Sequence, residues 1–475
     1  MKGKICFYPL FLLIILIFCS CNNEIFDEPN IENKSPKIKS GEVFTVAPNG
    51  VDDTQNIKDA FADAKAAGSG NTVYLTEGTF HTSILVIENF DGYFMGAGKG
   101  NTTIISLTNL PCPEMMAQDV VPTLILFSAG FPKISDMTIE FVENPCQTYT
   151  NPFHGYPTQE LIVGLGIGPH AIDESFDCTG GPVVEEGHST IDNVELIDPG
   201  QIDVVNLISI GGYTSLSDPD CYGWFKTLKG THTITNCDFY GGVVGVDIFI
   251  MIDSKIIIGG SPHNGNNFKS WQAIDAFDCD NTLIEVSYNE MDSEESAWMM
   301  GGFTFFVYDR PFIPLGSYYF HHNKIITENL GIYPFDLGVF ISNKTLDVLI
   351  ENNDFVINDG YAGIISDLLQ DMIVKNNKFS GTSNMGIDVG NYGLTCSNWT
   401  IMGNNFNNLT TSWSPIWLGP DAENCTVVGG NNKVNVLDEG TNNIITGVNN
   451  QGNPPGPVIR EALATRKDLL KLRRR

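Results

Sequence analysis

Asp247 and Asp275 have the residue type and the setting for proton chemistry. Each is the centre of a short apolar triplet, Val246-Asp247-Ile248 and Ile274-Asp275-Ala276. In an extended strand the middle residue faces away from its two neighbours. Both carboxyls are therefore expected to point outward from a sheet whose other face is the core. On adjacent parallel strands they would lie one strand spacing apart, about 4.8 Å. Two like charges at that range raise one pKa. Such a pair can act as general acid and base, or as acid and nucleophile, on a glycosidic bond. It can equally supply oxygen ligands to Ca²⁺, the one cofactor this column invites. An acidic sheet face without chemistry is the plain alternative. Asn206, central in Val205-Asn206-Leu207, takes the same place one strand earlier and is expected to position substrate.

Two long segments flank this column. The first runs from Gly211 to Gly230 and carries Asp218, Asp220, Tyr222 and Trp224. The second runs from Met291 to Tyr319 and carries Trp298, Tyr308, Arg310 and Tyr318. Long loops on a rigid scaffold tend to hold function. Trp298 and Tyr308 offer flat faces with a polar edge, suited to stacking on sugar rings. Arg310 is the only arginine before residue 460 and is a candidate base or anchor for an acidic substrate group. Packing aromatics and an ordinary Arg–carboxylate pair are the competing readings. His321 and His322 open a strand, one inward and one outward, and His322 is the candidate ligand. His188 lies in a turn of the early chain.

The elements that would position these residues recur. An apolar-x-x-Asn-x-apolar frame appears as Val286-Asn289-Met291, Phe320-Asn323-Ile325, Ile350-Asn353-Phe355, Val374-Asn377-Phe379 and Ile401-Asn404-Phe406. The frame continues without Asn at Met137, Val194 and Cys237. Repeats of 20–50 residues with Gly/Asn turns indicate a β-solenoid. A second strand precedes each, giving an outward column of Asn206, Asp247, Asp275, Thr304, Phe340, Ile365, Asp388 and Trp417 over roughly ten coils. Stacked Asn side chains can satisfy one another's hydrogen bonds from coil to coil.

The start of the body adds a second line. Asp53 or Thr54 caps a helix carrying Ile57, Ala60, Phe61 and Ala64, which Gly68 stops. Then come Val73-Tyr74-Leu75, Gly78-Thr79-Phe80, Gly96-Ala97-Gly98 and Thr103-Ile104-Ile105. This order resembles the N-terminal cap and first coils of the pectate-lyase-like right-handed β-helix superfamily. The resemblance implies an all-β fold, a right-handed single-stranded parallel β-helix with a short N-terminal capping helix, over residues 43–450. It also implies a carbohydrate-active enzyme, a lyase or glycoside hydrolase on an extracellular polysaccharide. The Gly-His-Gly and Arg-x-Lys signatures of its polygalacturonase-type hydrolases are absent from the solenoid. A non-catalytic surface protein that binds glycan or a partner through the same face is the alternative.

The ends read differently. Lys2, Lys4 and the apolar run Leu10–Phe18 form a signal peptide over 1–21. Ser20-Cys21 resembles a bacterial lipobox, which implies cleavage before Cys21 and lipid on its thiol. Residues 22–42 are a polar tether, so the chain is expected on the bacterial outer membrane. Residues 451–475 hold a Pro-rich break and a basic helix, expected to cap the solenoid or bind a partner. The net charge of −30 argues against nucleic acid as a partner. No CxxC spacing suggests a zinc site, burial is expected for the later cysteines, and a monomer is expected.

Overall fold

The computed structural model describes residues 41–107, 123–141, 162–169, 183–199, 205–214, 225–293, 296–302, 316–336, 347–366, 369–390, 395–429, 434–447 and 449–451. Tyr308, Arg310, Thr304, Phe340, Cys21 and the basic C-terminal segment lie outside them.

The chain coils as a right-handed parallel β-helix, and strand pairing defines three ribbons. Ribbon 1 runs through Val205–Gly211, Val244–Ile252, Gln272–Asp280, Ser296–Gly302 and Leu330–Asp336, and ends at Asn449–Gln451. Ribbon 2 includes Lys255–Gly259, Leu283–Ser287, Ser317–His321 and Asp347–Glu351. Ribbon 3 includes Asn267–Lys269, Glu290–Ser293 and Lys324–Thr327. Every pairing within the ribbons is parallel and joins one coil to the next. That pairing satisfies the backbone along the axis and leaves alternate side chains to fill the core.

The turn between ribbons 2 and 3 is built for Asn. The residue before each ladder position is in the left-handed region, as at Asn193, Asn236, Tyr288, His322, Asn352 and Asn376. The next residue turns inward. Asn289 Nδ2 donates to Asn323 Oδ1 at 3.0 Å, Asn323 to Asn353 at 3.1 Å, Asn353 to Asn377 at 3.0 Å and Asn377 to Asn404 at 3.0 Å. Each acceptor oxygen also takes the backbone N–H of the preceding ladder Asn, as Asn353 Oδ1 does from Asn323. Asn266 extends the ladder one coil earlier. It escapes the sequence frame because Ser261-Pro262-His263-Asn264-Gly265 replaces the apolar residue three places before it. Cys237 starts the series, its N–H donated to Asn266 Oδ1.

Two residues beyond the ladder, Phe355, Phe379 and Phe406 stack at 4.7 and 4.6 Å. Each ring lies on a ribbon 1 glycine. A Cβ on Gly363 would sit 2.7 Å from the Phe379 ring, and one on Gly386 2.5 Å from Phe406. These glycines are needed for close approach of ring to backbone.

The first coil is closed by the helix Thr54–Ala66, whose Ile57, Ala60, Phe61 and Ala64 are buried. Asp53 is its N-cap residue but ties the chain rather than the helix. Its carboxylate accepts the N–H groups of Asn49 and His81, while Asp52 accepts that of Thr54. Cys237, Cys279, Cys396 and Cys425 are buried.

Candidate functional site on ribbon 1

The register pairs Asp247 with Asp275 directly. Their backbones are thus one strand spacing apart, about 4.8 Å. The register column through the pair is Ser209, Asp247, Asp275, Met299 and Tyr333, and further along Ile365, Asp388 and Trp417. Three expected members change. Asn206 pairs with Val244, and Ser209 occupies the place next to Asp247. The two coils assigned to Thr304 and Phe340 form their ribbon 1 strands earlier in the chain, at Ser296–Gly302 and Leu330–Asp336. The error was one of register: a triplet of mixed polarity is common, and only hydrogen bonding chooses among candidates three to seven residues apart.

Asn206 nevertheless reaches the site. It is 2% exposed, and its Nδ2 donates to Asp247 Oδ2 at 2.9 Å. Ser209 Oγ lies 3.4 Å from the same oxygen. Gln272, which shares the Asn206 register position through Val244, donates its amide N–H to Asp275 Oδ1. Two amides on one rung therefore orient two carboxyls on another. Gln272 was not legible as a site residue, because nothing in its local sequence sets it apart.

Burial pushes Asp247 up to about 7, while the hydrogen bonds from Ser209 and Asn206 act to lower it. Desolvation disfavours the charged form. The cause is thus burial and not the like-charge repulsion expected from the pairing. A carboxyl in this state divides between acid and base near neutral pH. An amide N–H and a hydroxyl are directed at Asp247 Oδ2, and among the described residues no three His, Cys, Asp or Glu side chains cluster as a metal site.

The other candidates separate from the pair. Trp298 is in a ribbon 1 strand, not a loop, and pairs with Ile274 and Ile332, both buried in the core. That register position is a core column in both neighbouring coils. The segment 291–319 thus contains strands Glu290–Ser293 and Ser296–Gly302, and 211–230 contains Tyr213–Thr214 and Phe225–Lys229.

His321 ends its strand instead of opening one and is 8% exposed. His322 is exposed at a left-handed turn position with φ 55°. Its ring stacks on Tyr288 at 5.0 Å and its Nδ1 meets His321 Nδ1 at 2.8 Å. Both belong to ribbon 2 and its turn, whereas Asp247 and Asp275 are on ribbon 1. Around them Glu285 contacts His321 at 3.3 Å, and Tyr319 donates to Glu351, which also pairs with Lys375 at 2.7 Å. His188 stacks on Phe131 at 4.7 Å and accepts the Thr231 N–H.

No family model and no curated protein sequence matches the chain. Among solved structures it is similar to a mannuronan C-5 epimerase A-module of Azotobacter vinelandii, at 13% identity over 85% of this chain and 96% of that one, with TM-score 0.43. It is also similar to a hyperthermoactive exopolygalacturonase of Thermotoga maritima, at 10% identity over 87% and 94%, with TM-score 0.46. A third is the Dettilon tailspike protein, at 14% identity over 86% and 67%, with TM-score 0.48. The solenoid is established by the strand register above. At these scores the likenesses carry no activity to this chain.

Proposed function

We propose that the protein cleaves glycosidic bonds in an extracellular polysaccharide, with Asp247 as general acid. The observation that carries this reading is the register pairing of Asp247 with Asp275 on the outer face of ribbon 1. Below about pH 7 Asp247 holds a proton that it can pass to the glycosidic oxygen as the bond breaks. Asp275, oriented by Gln272, is the base that activates water or the nucleophile that forms a glycosyl intermediate. Asn206 and Ser209 hold the Asp247 carboxyl in place. Hydrolysis is preferred to elimination because the described groups include a poised acid beside a second carboxyl. Arg310, proposed as a base or a carboxylate anchor, and Tyr308, proposed as a platform, lie outside the described residues.

The protein is further proposed to act as a monomer at the bacterial cell envelope, exported and held by lipid on Cys21.

The test is product detection on a panel of neutral and uronic-acid polysaccharides, with Ca²⁺ and with chelator. New reducing ends without absorbance near ~235 nm are expected from hydrolysis. Absorbance of an unsaturated product would transfer the reaction to elimination and the base to another residue. Silence across the panel with retained glycan binding would overturn catalysis and leave a binding protein.

A further inference from the structure

Ribbon 2 changes character in its last coils. In Leu283–Ser287, Ser317–His321 and Asp347–Glu351 its outer face carries Glu285, Tyr319, His321 and Glu351. From Ile373 onward the same face carries four exposed apolar side chains among Lys375, Thr400, Thr426 and Thr446. Ile373 is 39% exposed, Met402 38%, Val428 38% and Ile444 58%. These four sit on two adjacent outer columns: Ile373, Thr400, Thr426 and Ile444 on one, Lys375, Met402, Val428 and Thr446 on the other. The residues between them, Val374, Ile401 and Val427, are buried in the core. The four form a stripe of one exposed apolar residue per coil, stepping between the two columns over four coils, about 14 Å long at the usual strand spacing. An apolar stripe on the terminal strands of a sheet is also an aggregation hazard unless something covers it.

We infer that residues 458–472 of this chain cover it as an amphipathic helix. Position argues for this segment. Ribbon 2 ends at Ile444–Thr446 and the described chain at Gln451, seven residues before Val458. Seven residues reach at most about 25 Å. The described chain begins at the opposite end of the solenoid, where Val43–Val46 pairs with Asn71–Leu75.

Length and pattern agree with position. Fifteen residues of helix span about 22 Å, enough to lie along four coils. Ile459, Leu463 and Leu470 recur at helical spacing, flanked by Val458, Ala462 and Leu469. Charge agrees as well. The segment carries Arg460, Arg466, Lys467 and Lys471, whereas the whole chain is at −30. Exposed Asp371, in the bend before Ile373, and Glu423, in the short strand Ala422–Glu423, precede two strands of the stripe. Lys375, the cation within it, is already paired with Glu351.

Hydrogen exchange on the full-length protein tests the inference. Amides of 458–472 are expected to exchange at least ~10-fold more slowly than in a free peptide of that sequence. Val428→Asp with Ile444→Asp, both at exposed positions, should return them to free-peptide rates while the Asn ladder strands stay protected. Leu463→Asp with Leu470→Asp should do the same from the other side and speed exchange in 426–428 and 444–446. Free-peptide rates in the unmodified chain would overturn the inference. So would protection that ignores the patch variants. Protection seen only at concentrations where sedimentation shows a dimer would assign the stripe to a second copy. Protection seen only after adding phosphatidylglycerol vesicles would assign the segment to a lipid surface.

Discussion

At the scale of single residues, the site depends on where protons are held. Asp247 is pushed up to about 7 by burial, so activity should fall as pH rises through that value and the acid form is lost. Asp247→Asn is expected to lower kcat/KM by about 10²–10⁴-fold, mostly in kcat, measured on the active polysaccharide. Asn206 donates to the ionised form, so Asn206→Ala should move the alkaline limb of the pH profile upward. The same carboxyl should be visible in stability. Its folded-state pKa is raised, so its ionisation penalises the fold as pH rises from about 4 toward 7. Asp247→Asn should therefore raise the thermal midpoint more at pH 8 than at pH 5. His232 has the opposite sign. It is fully buried and pushed down to about 3, first by burial and then by His188. Between that value and about 6.5 the unfolded chain binds the proton and the fold does not. Stability should thus fall as pH drops through this window, and the difference between wild type and His232→Asn should trace it.

At the scale of elements, the Asn ladder carries the register of neighbouring coils. Asn323 donates to Val286 O, His321 O and Asn353 Oδ1, and accepts from the Asn289 backbone and side chain. Asn323→Ala leaves these buried partners unpaired, and each orphan costs about 1–3 kcal/mol. A loss of at least about 3 kcal/mol is expected in denaturant unfolding, with the largest local effect in the coils beside it. Early coils do without Asn, at Met137 and Val194, where both members of each contact are apolar. Mixing the two kinds is what costs. The ladder was legible from spacing because five of its members recur with apolar flanks. Asn266 was not, since an inserted turn breaks its frame. The Phe–Gly contacts were also hidden, because the partners lie on different ribbons more than ten residues apart in sequence.

At the scale of the whole molecule, the solenoid is a rigid carrier with a polar face on one ribbon and an apolar stripe at one end of another. The envelope assignment belongs to this scale. Cys21→Ser is expected to move the protein from the detergent-extracted membrane fraction to the soluble exported fraction, followed by fractionation and blotting. Retention in the membrane fraction would mean that another feature anchors the chain.

The sequence by itself determined the architecture, because a coil repeat writes itself locally. Alternating apolar residues, Asn at a recurring turn and the opening helix all act over fewer than about thirty residues, within reach of pattern. It also picked out Asp247 and Asp275, since both sit in short apolar triplets of one kind. Tertiary structure decided what surrounds them. Only coil-to-coil hydrogen bonding could replace Asn206 by Ser209 on the column and bring Gln272 to Asp275, and put Trp298 in register with buried isoleucines. Only burial, a property of the packed molecule, could raise Asp247 toward neutrality. Register in a parallel sheet is a relation between distant segments, and a one-residue slip reverses every side chain.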